Sequence, residues 1–206
     1  MARGRFITFE GIDGSGKSTQ LRRLAAALAA QDQPVVTTRE PGGSPGAEEI
    51  RNLVLTGDPD RWSAETEILL FSASRRDHLE KTIKPALTAG KTVISDRFAD
   101  STRVYQGATR GDLRPMVDEL HALMIGTEPD LTFIIDMDPA VALQRGLARN
   151  SGEDRFEDFG LSFQETLRAG FLALAVDFAD RCVVIDGDRD PDAVAEDILA
   201  TYTARA

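Results

Sequence analysis

Five short runs of apolar and β-branched residues recur along the chain: Phe6–Phe9, Pro34–Thr38, Thr92–Ser95, Leu131–Ile135 and Cys182–Ile185. Within them the apolar positions are consecutive rather than alternating, the pattern of strands covered on both faces, as in a parallel sheet. Longer stretches with helical spacing separate them: Lys17–Gln31, Ala64–Ala89, Leu113–Ile125, Pro139–Ala148, Ser162–Phe178 and Pro191–Tyr202. Pro85 inside the second stretch predicts a kink or a fresh start. Pro139 and Pro191 each follow an aspartate, which predicts an Asp N-cap with proline at the first helical position. Strand and helix in alternation predict an α/β fold, a five-stranded parallel sheet with helices on both faces. No internal repeat or low-complexity linker divides the chain, and its 206 residues suit one domain spanning 1–206.

One segment breaks the alternation. Arg149-Asn150-Ser151-Gly152-Glu153-Asp154-Arg155-Phe156 is polar and charged and lies between two helical patterns. It reads either as a solvated surface loop or, over about residues 146–160, as a lid with arginines at its hinges.

The first strand runs into Gly11-Ile12-Asp13-Gly14-Ser15-Gly16-Lys17-Ser18, a full match to G-x-x-x-x-G-K-[ST], and a helical pattern follows. Phosphates approach such a loop along its main chain, which excludes side chains at Gly11, Gly14 and Gly16. The helix start offers unpaired N–H groups and a partial positive charge. Lys17 can reach the β- and γ-phosphates of ATP, and the Ser18 hydroxyl can ligate Mg²⁺. The loop alone does not choose a reaction, since motors, GTPases and small-molecule kinases share it. No Asn-Lys-x-Asp run for guanine selection is present.

Composition narrows the choice. A net charge of −10 argues against a protein that coats nucleic acid. The single cysteine, Cys182, allows no intramolecular disulfide and reads as a small buried residue in its apolar run. No apolar stretch approaches the roughly 20 residues that span a bilayer, and no signal-peptide pattern opens the chain, so a soluble cytoplasmic protein is expected. His78 and His121 lie in helical stretches away from every motif and read as surface or packing residues.

The third strand ends in Asp96-Arg97-Phe98, where a doubly wound sheet presents residues to its ligands. Asp96 can hold Mg²⁺ through water, and Arg97 can bind an acceptor phosphate. With Phe9–Thr19, Thr38-Arg39-Glu40-Pro41-Gly42-Gly43, and Asp96-Arg97-Phe98 followed by Ser101-Thr102 and Tyr105-Gln106-Gly107, the chain resembles the bacterial thymidylate kinase family over nearly its whole length. Phe98 stands where that family more often has Tyr or His.

The resemblance implies a P-loop NTPase-type sheet of order 2-3-1-4-5, a short lid, a homodimer, and transfer of the γ-phosphoryl of ATP to dTMP in the supply of dTTP for DNA synthesis. It further implies that Phe71 stacks on thymine and Arg75 bonds its O4. Thr102 and Gln106 read the other base edge, and Tyr105 crowds the sugar 2′ position. Asp13 takes the 3′-hydroxyl, Arg51 and Arg97 hold the acceptor phosphate, and Glu40 lines the same pocket. Arg145 packs on adenine, with the Gly187-Asp188-Arg189 loop beside it. The P-loop has no basic residue among Ile12, Asp13, Gly14 and Ser15, so Arg149 or Arg155 is expected to close over the transferring group. Three readings stay open beside this one: a deoxynucleoside kinase with Glu10 as base, a kinase for another monophosphate, and a nucleotide-binding protein without catalysis.

Overall fold

The computed structural model describes residues 3–58, 61–107, 111–147 and 160–205. The strands are β1 (Phe6–Glu10), β2 (Val35–Arg39), β3 (Thr92–Asp96), β4 (Leu131–Asp136) and β5 (Cys182–Asp186). All pair in parallel in the order β2-β3-β1-β4-β5, the order expected. The central strands are buried almost throughout, because helices cover both faces there. The edge strands β2 and β5 are only partly covered, so the expectation of burial on both faces holds for the middle of the sheet alone.

Side chains alternate between the two faces. Ile7, Phe9, Ile94 and Phe133 pack with Leu21, Leu24 and Leu28 of α1 (Lys17–Ala29) and Val194 and Ile198 of α9 (Pro191–Ala204). On the other face, Phe6 and Val93 pack beneath Leu79, Ile83, Leu87 and Phe98, while Ile134 meets Leu167 and Phe171 of α8 (Leu161–Asp177). The expected N-caps are present: Asp138 accepts from the Ala140 and Val141 N–H groups at the start of α7 (Pro139–Leu147), and Asp190 from that of Asp192.

Two helices go beyond the sequence expectation: α2 (Pro45–Leu55) and α5 (Ala99–Tyr105). The long pattern before β3 is α3 (Ala64–His78), a π-helical turn over Leu79–Ile83, then α4 (Lys84–Thr88). The Lys84 N–H bonds the carbonyl of Leu79, five residues back. This shift of register lets the helix pass Pro85, which has no N–H to offer. Helix α6 (Arg114–Met124) lies beside α3, where Arg76 donates to the Met124 carbonyl at 2.7 Å. Among the described residues no helix is long and apolar enough to cross a membrane.

Candidate active site

The loop between β1 and α1 turns on glycines at positive φ: 133° at Gly11, 85° at Gly14 and 96° at Gly16. They serve different neighbours. A Cβ on Gly14 would lie 1.9 Å from the Ala142 carbonyl oxygen and one on Gly11 2.6 Å from that of Ile135, whereas Gly16 faces open space. Two of the glycines therefore seat the loop against β4 and α7, and Gly16 leaves the outer side clear. Helix α1 starts without a side-chain cap, so its first N–H groups are available to an anion. The buried Ser15 hydroxyl has no partner among the described residues. Lys17, buried, donates to the Ile12 carbonyl at 2.7 Å. Burial, with Arg97 nearby, pushes its pKa down to about 8 against the pull of Asp13, Asp96 and Glu10.

Parallel pairing sets Asp96 level with Phe9, and the Ser18 hydroxyl bonds its carboxylate. The two residues that could hold Mg²⁺ are thus adjacent, and a hydroxyl with a carboxylate is suitable oxygen chemistry for that ion. Arg97 sits at φ 71° and spreads its guanidinium over several acceptors: Asp13 at 2.6 Å, Ser101 Oγ at 2.8 Å and the Gly11 carbonyl at 3.3 Å. It lies over the Tyr105 ring, whose hydroxyl donates to the second Asp13 oxygen at 2.8 Å. Burial alone would raise the Asp13 pKa, but Arg97 and Lys17 beside it hold the carboxyl well below the usual range. Glu10 is fully buried and accepts from the Phe98 N–H at 2.7 Å and the Ser101 hydroxyl at 2.6 Å. Burial and then Asp100 push its pKa up to about 7.

These groups open into a cavity of about 330 Å³. Its far wall is built by α3, where Phe71 and Arg75 are four apart and share a face. Arg75 is buried, with Nε on Glu40 Oε2 at 2.8 Å and Nη2 on the Phe98 carbonyl and Thr102 Oγ1 at 3.0 and 3.1 Å. Arg51 enters from α2 and donates to the Pro41 carbonyl at 2.6 Å. Gln106 donates to Glu67 at 3.1 Å. The cavity therefore gathers Asp13, Lys17, Ser18, Glu40, Arg51, Phe71, Arg75, Asp96, Arg97, Thr102, Tyr105 and Gln106 from segments far apart in sequence. Arg145 stands outside its lining, exposed on α7 with Nη1 3.2 Å from Met137 Sδ. The neighbouring loop is tied in by Asp188, which accepts from the Asp138 N–H at 2.7 Å. Arg149 and Arg155 lie outside the described residues.

The structure corrects the expectation that no histidine lies near a motif. His78 is fully buried, with Nδ1 2.9 Å from Glu40 and Nε2 2.7 Å from Thr38 Oγ1. Glu67, also fully buried, was missed too, although Glu67, Phe71, Arg75 and His78 follow helical spacing along one side of α3. Cys182 is buried as expected, and burial pushes its thiol up to about 12.

A phosphate loop, an acid and an arginine at the end of the neighbouring strand, and a second compartment with an aromatic platform define a P-loop small-molecule kinase. Residues 9–198 match the family model described as thymidylate kinase. The chain belongs to the thymidylate kinase family. It is 69% identical to thymidylate kinase of Dinoroseobacter shibae over 98% of each chain, and 53% identical to that of Caulobacter vibrioides over 100% of this chain and 99% of the relative. The crystal structure of thymidylate kinase from Ehrlichia chaffeensis superposes with a TM-score of 0.79 at 38% identity, covering 98% of this chain and 99% of that one.

Proposed function

We propose that the protein transfers the γ-phosphoryl group of ATP to dTMP, giving ADP and dTDP, in the supply of dTTP for DNA synthesis. The observation that carries the reading is the single cavity joining Lys17, Asp96 and Arg97 to Phe71 and Arg75. It has a phosphate end and a base end, as a nucleoside monophosphate acceptor requires.

In this reading an oxygen of the dTMP phosphate attacks the γ-phosphorus, and the bond to the β–γ bridging oxygen breaks. That oxygen is already anionic near neutral pH, so no general base is needed, and positioning with charge neutralisation supplies the rate. The Gly11–Ser18 loop holds the ATP phosphates, with Lys17 on the transferring group. Ser18 and Asp96 would hold Mg²⁺, which would neutralise phosphate charge when bound. Arg51 and Arg97 orient the acceptor phosphate, and Arg97 also neutralises charge on the transferring group. Phe71 stacks on the base, Arg75 faces its O4, and Thr102 and Gln106 face the other edge. Tyr105 and Asp13 meet the sugar, and Glu40 holds Arg75. Arg145 sits at the adenine, and Arg149 or Arg155, in a lid over residues 146–160 of a single domain, closes the charge balance. These assignments rest on the family resemblance together with the cavity lining. Glu10 is unsuited as a base for a sugar hydroxyl, since both its oxygens are engaged and it is buried away from the cavity.

ADP release with Mg-ATP and dTMP, dUMP, the ribose form of TMP, AMP, GMP, CMP or thymidine tests the proposal. Fast turnover with dTMP, weak turnover with dUMP and none with thymidine is expected. Preference for thymidine would overturn it.

We further propose a cytoplasmic homodimer that binds no nucleic acid. Exposed Leu123 and Met116 lie seven apart on α6, and exposed Leu69 on the adjoining α3. Leu123 is 79% exposed, and with Met116 and Leu69 it places exposed apolar side chains on two adjoining helices. Light scattering should find a dimer for the native chain and a monomer for Leu123→Asp. A native monomer would sink the assignment.

A further inference from the structure

We propose that His78 is a positioning residue for the base pocket: it fixes the Glu40 carboxylate, and through it the Arg75 guanidinium, in the orientation that distinguishes a 4-oxo from a 4-amino pyrimidine. The inference rests on the reading that Arg75 faces the base.

Glu40 is buried between two partners, with Oε1 on His78 and Oε2 on Arg75 Nε. A carboxylate bonded to Arg75 by one oxygen alone could swivel about its last torsion, and the guanidinium would lose its fixed acceptor at Nε and be left to its Nη2 bonds with the Phe98 carbonyl and Thr102. The histidine anchors the second oxygen. The ring is itself anchored, with Nε2 on Thr38 at the end of β2, and it packs so closely under the next loop that a Cβ on Gly43 would lie 2.4 Å from Nε2. A relay of contacts thus runs from the sheet edge through Thr38, His78 and Glu40 to Arg75, and on to Thr102 of α5. Arg75 Nη1 donates to none of the described residues, while the side chain lines the cavity.

Chemistry gives this orientation its consequence. A guanidinium can only donate. It therefore suits a ring carbonyl and opposes a ring amino group, donor against donor, and a preference built on such a mismatch depends on the guanidinium holding its place. No residue on the cavity wall need change for the preference to be lost.

The test compares two amides. In His78→Asn the side-chain nitrogen stands near the Nδ1 position and keeps a donor on Glu40. In His78→Gln the longer side chain reaches the Nε2 position, keeps the bond to Thr38 and releases Glu40. Both are measured for KM and kcat with dTMP and dCMP, for KM with ATP, and for thermal unfolding. His78→Gln should raise KM for dTMP about tenfold or more and lower the dTMP-to-dCMP ratio of kcat/KM by at least about tenfold, the scale of one lost hydrogen bond to a charged group. kcat and KM for ATP should stay within about threefold, and His78→Asn should retain most of the native ratio. A native ratio in His78→Gln, equal loss in both amides, or loss that follows melting temperature alone would overturn the proposal. Arg75→Gln separates the role of Arg75 from that of His78. If it too keeps the native ratio, the reading of Arg75 fails; if it alone loses the ratio, only the role of His78 fails.

Discussion

Replacing Lys17 by Met will cut turnover at least about a thousandfold and, at neutral pH, raise the melting temperature. The first effect follows from removing the cation aimed at the transferring phosphoryl group; even a single neutral donor at such a place is worth about 10²–10³ in rate. The second follows from the same burial. Lys17 is 6% exposed, and its pKa stands at about 8 rather than 10.5 because burial, and after it Arg97, disfavour the charged form. The folded protein therefore binds this proton less tightly than the unfolded chain does. Below about pH 8 both states carry the proton and the folded state bears the cost, roughly 3 kcal/mol at 1.36 kcal/mol per unit. Between about 8 and 10.5 the folded state sheds the proton first, and the cost fades as pH rises. Methionine keeps the stem and its packing while removing the charge. Its advantage in thermal unfolding should be several degrees at pH 7 and shrink by pH 10. The native enzyme gives the matching kinetic sign. The ammonium that meets phosphate is present below the pKa, so kcat/KM for ATP, which reports the free enzyme, should fall as pH rises through about 8. A variant that melts earlier than the native protein at every pH would show that Lys17 is a structural cation, and retained turnover would remove it from the mechanism.

That a site can be read in sequence while the structure behind it cannot has a physical basis here. The strands were legible because β1, β3 and β4 are covered on both faces and so carry apolar and β-branched residues at consecutive positions. The phosphate loop was legible because its chemistry is contiguous. Helix α5 was not, because it is short and its buried positions are mixed: Asp100, Thr102 and Arg103 are buried beside Ala99, Val104 and Tyr105, which blurs the hydrophobic periodicity. What holds the charged residues is an ion network, with Arg103 on Asp100, Asp118 and Glu128 and Arg181, just before β5, returning to Asp100. Its members are local in space and distant in sequence. The same holds for Glu67 with Gln106 and for His78 with Glu40, pairs 39 and 38 residues apart that no spacing rule connects. Even the glycines were half read. A phosphate accounts for the clear side of the loop at Gly16, but the backbones of Ala142 and Ile135 forbid side chains at Gly14 and Gly11 whether or not nucleotide is bound.

Arg97→Lys should be nearly as damaging as Arg97→Ala, each lowering kcat/KM for dTMP about 10³-fold or more, the scale of a transition-state arginine. Charge alone is not what the position supplies. The guanidinium meets Asp13, Ser101 and the Gly11 carbonyl in different directions while lying 5.0 Å from the Tyr105 ring centroid. An ammonium on a flexible stem cannot hold that set or stack on the ring. The backbone at φ 71° is unfavourable for any side chain, so Ala gains nothing there, and the loss belongs to the head group. Asp13 supplies a second readout. Its folded pKa lies below the ordinary value because Arg97 and Lys17 outweigh burial, so the carboxylate stabilises the fold above its unfolded pKa of about 3.8, and that contribution is lost as pH falls through the folded value. Without Arg97 burial is opposed less, the folded pKa climbs, and the stabilisation at neutral pH shrinks or reverses. The drop in melting temperature of Arg97→Ala should therefore be larger at pH 7 than at about pH 2.5, narrowing only below the unfolded pKa of about 3.8, where the native carboxylate begins to lose its advantage. Acceptor kinetics and unfolding curves at the two pH values check both halves. Near-native kcat/KM in Arg97→Lys would mean that the position needs only a positive charge, and a pH-independent stability loss would mean that Asp13 is held down by Lys17 alone.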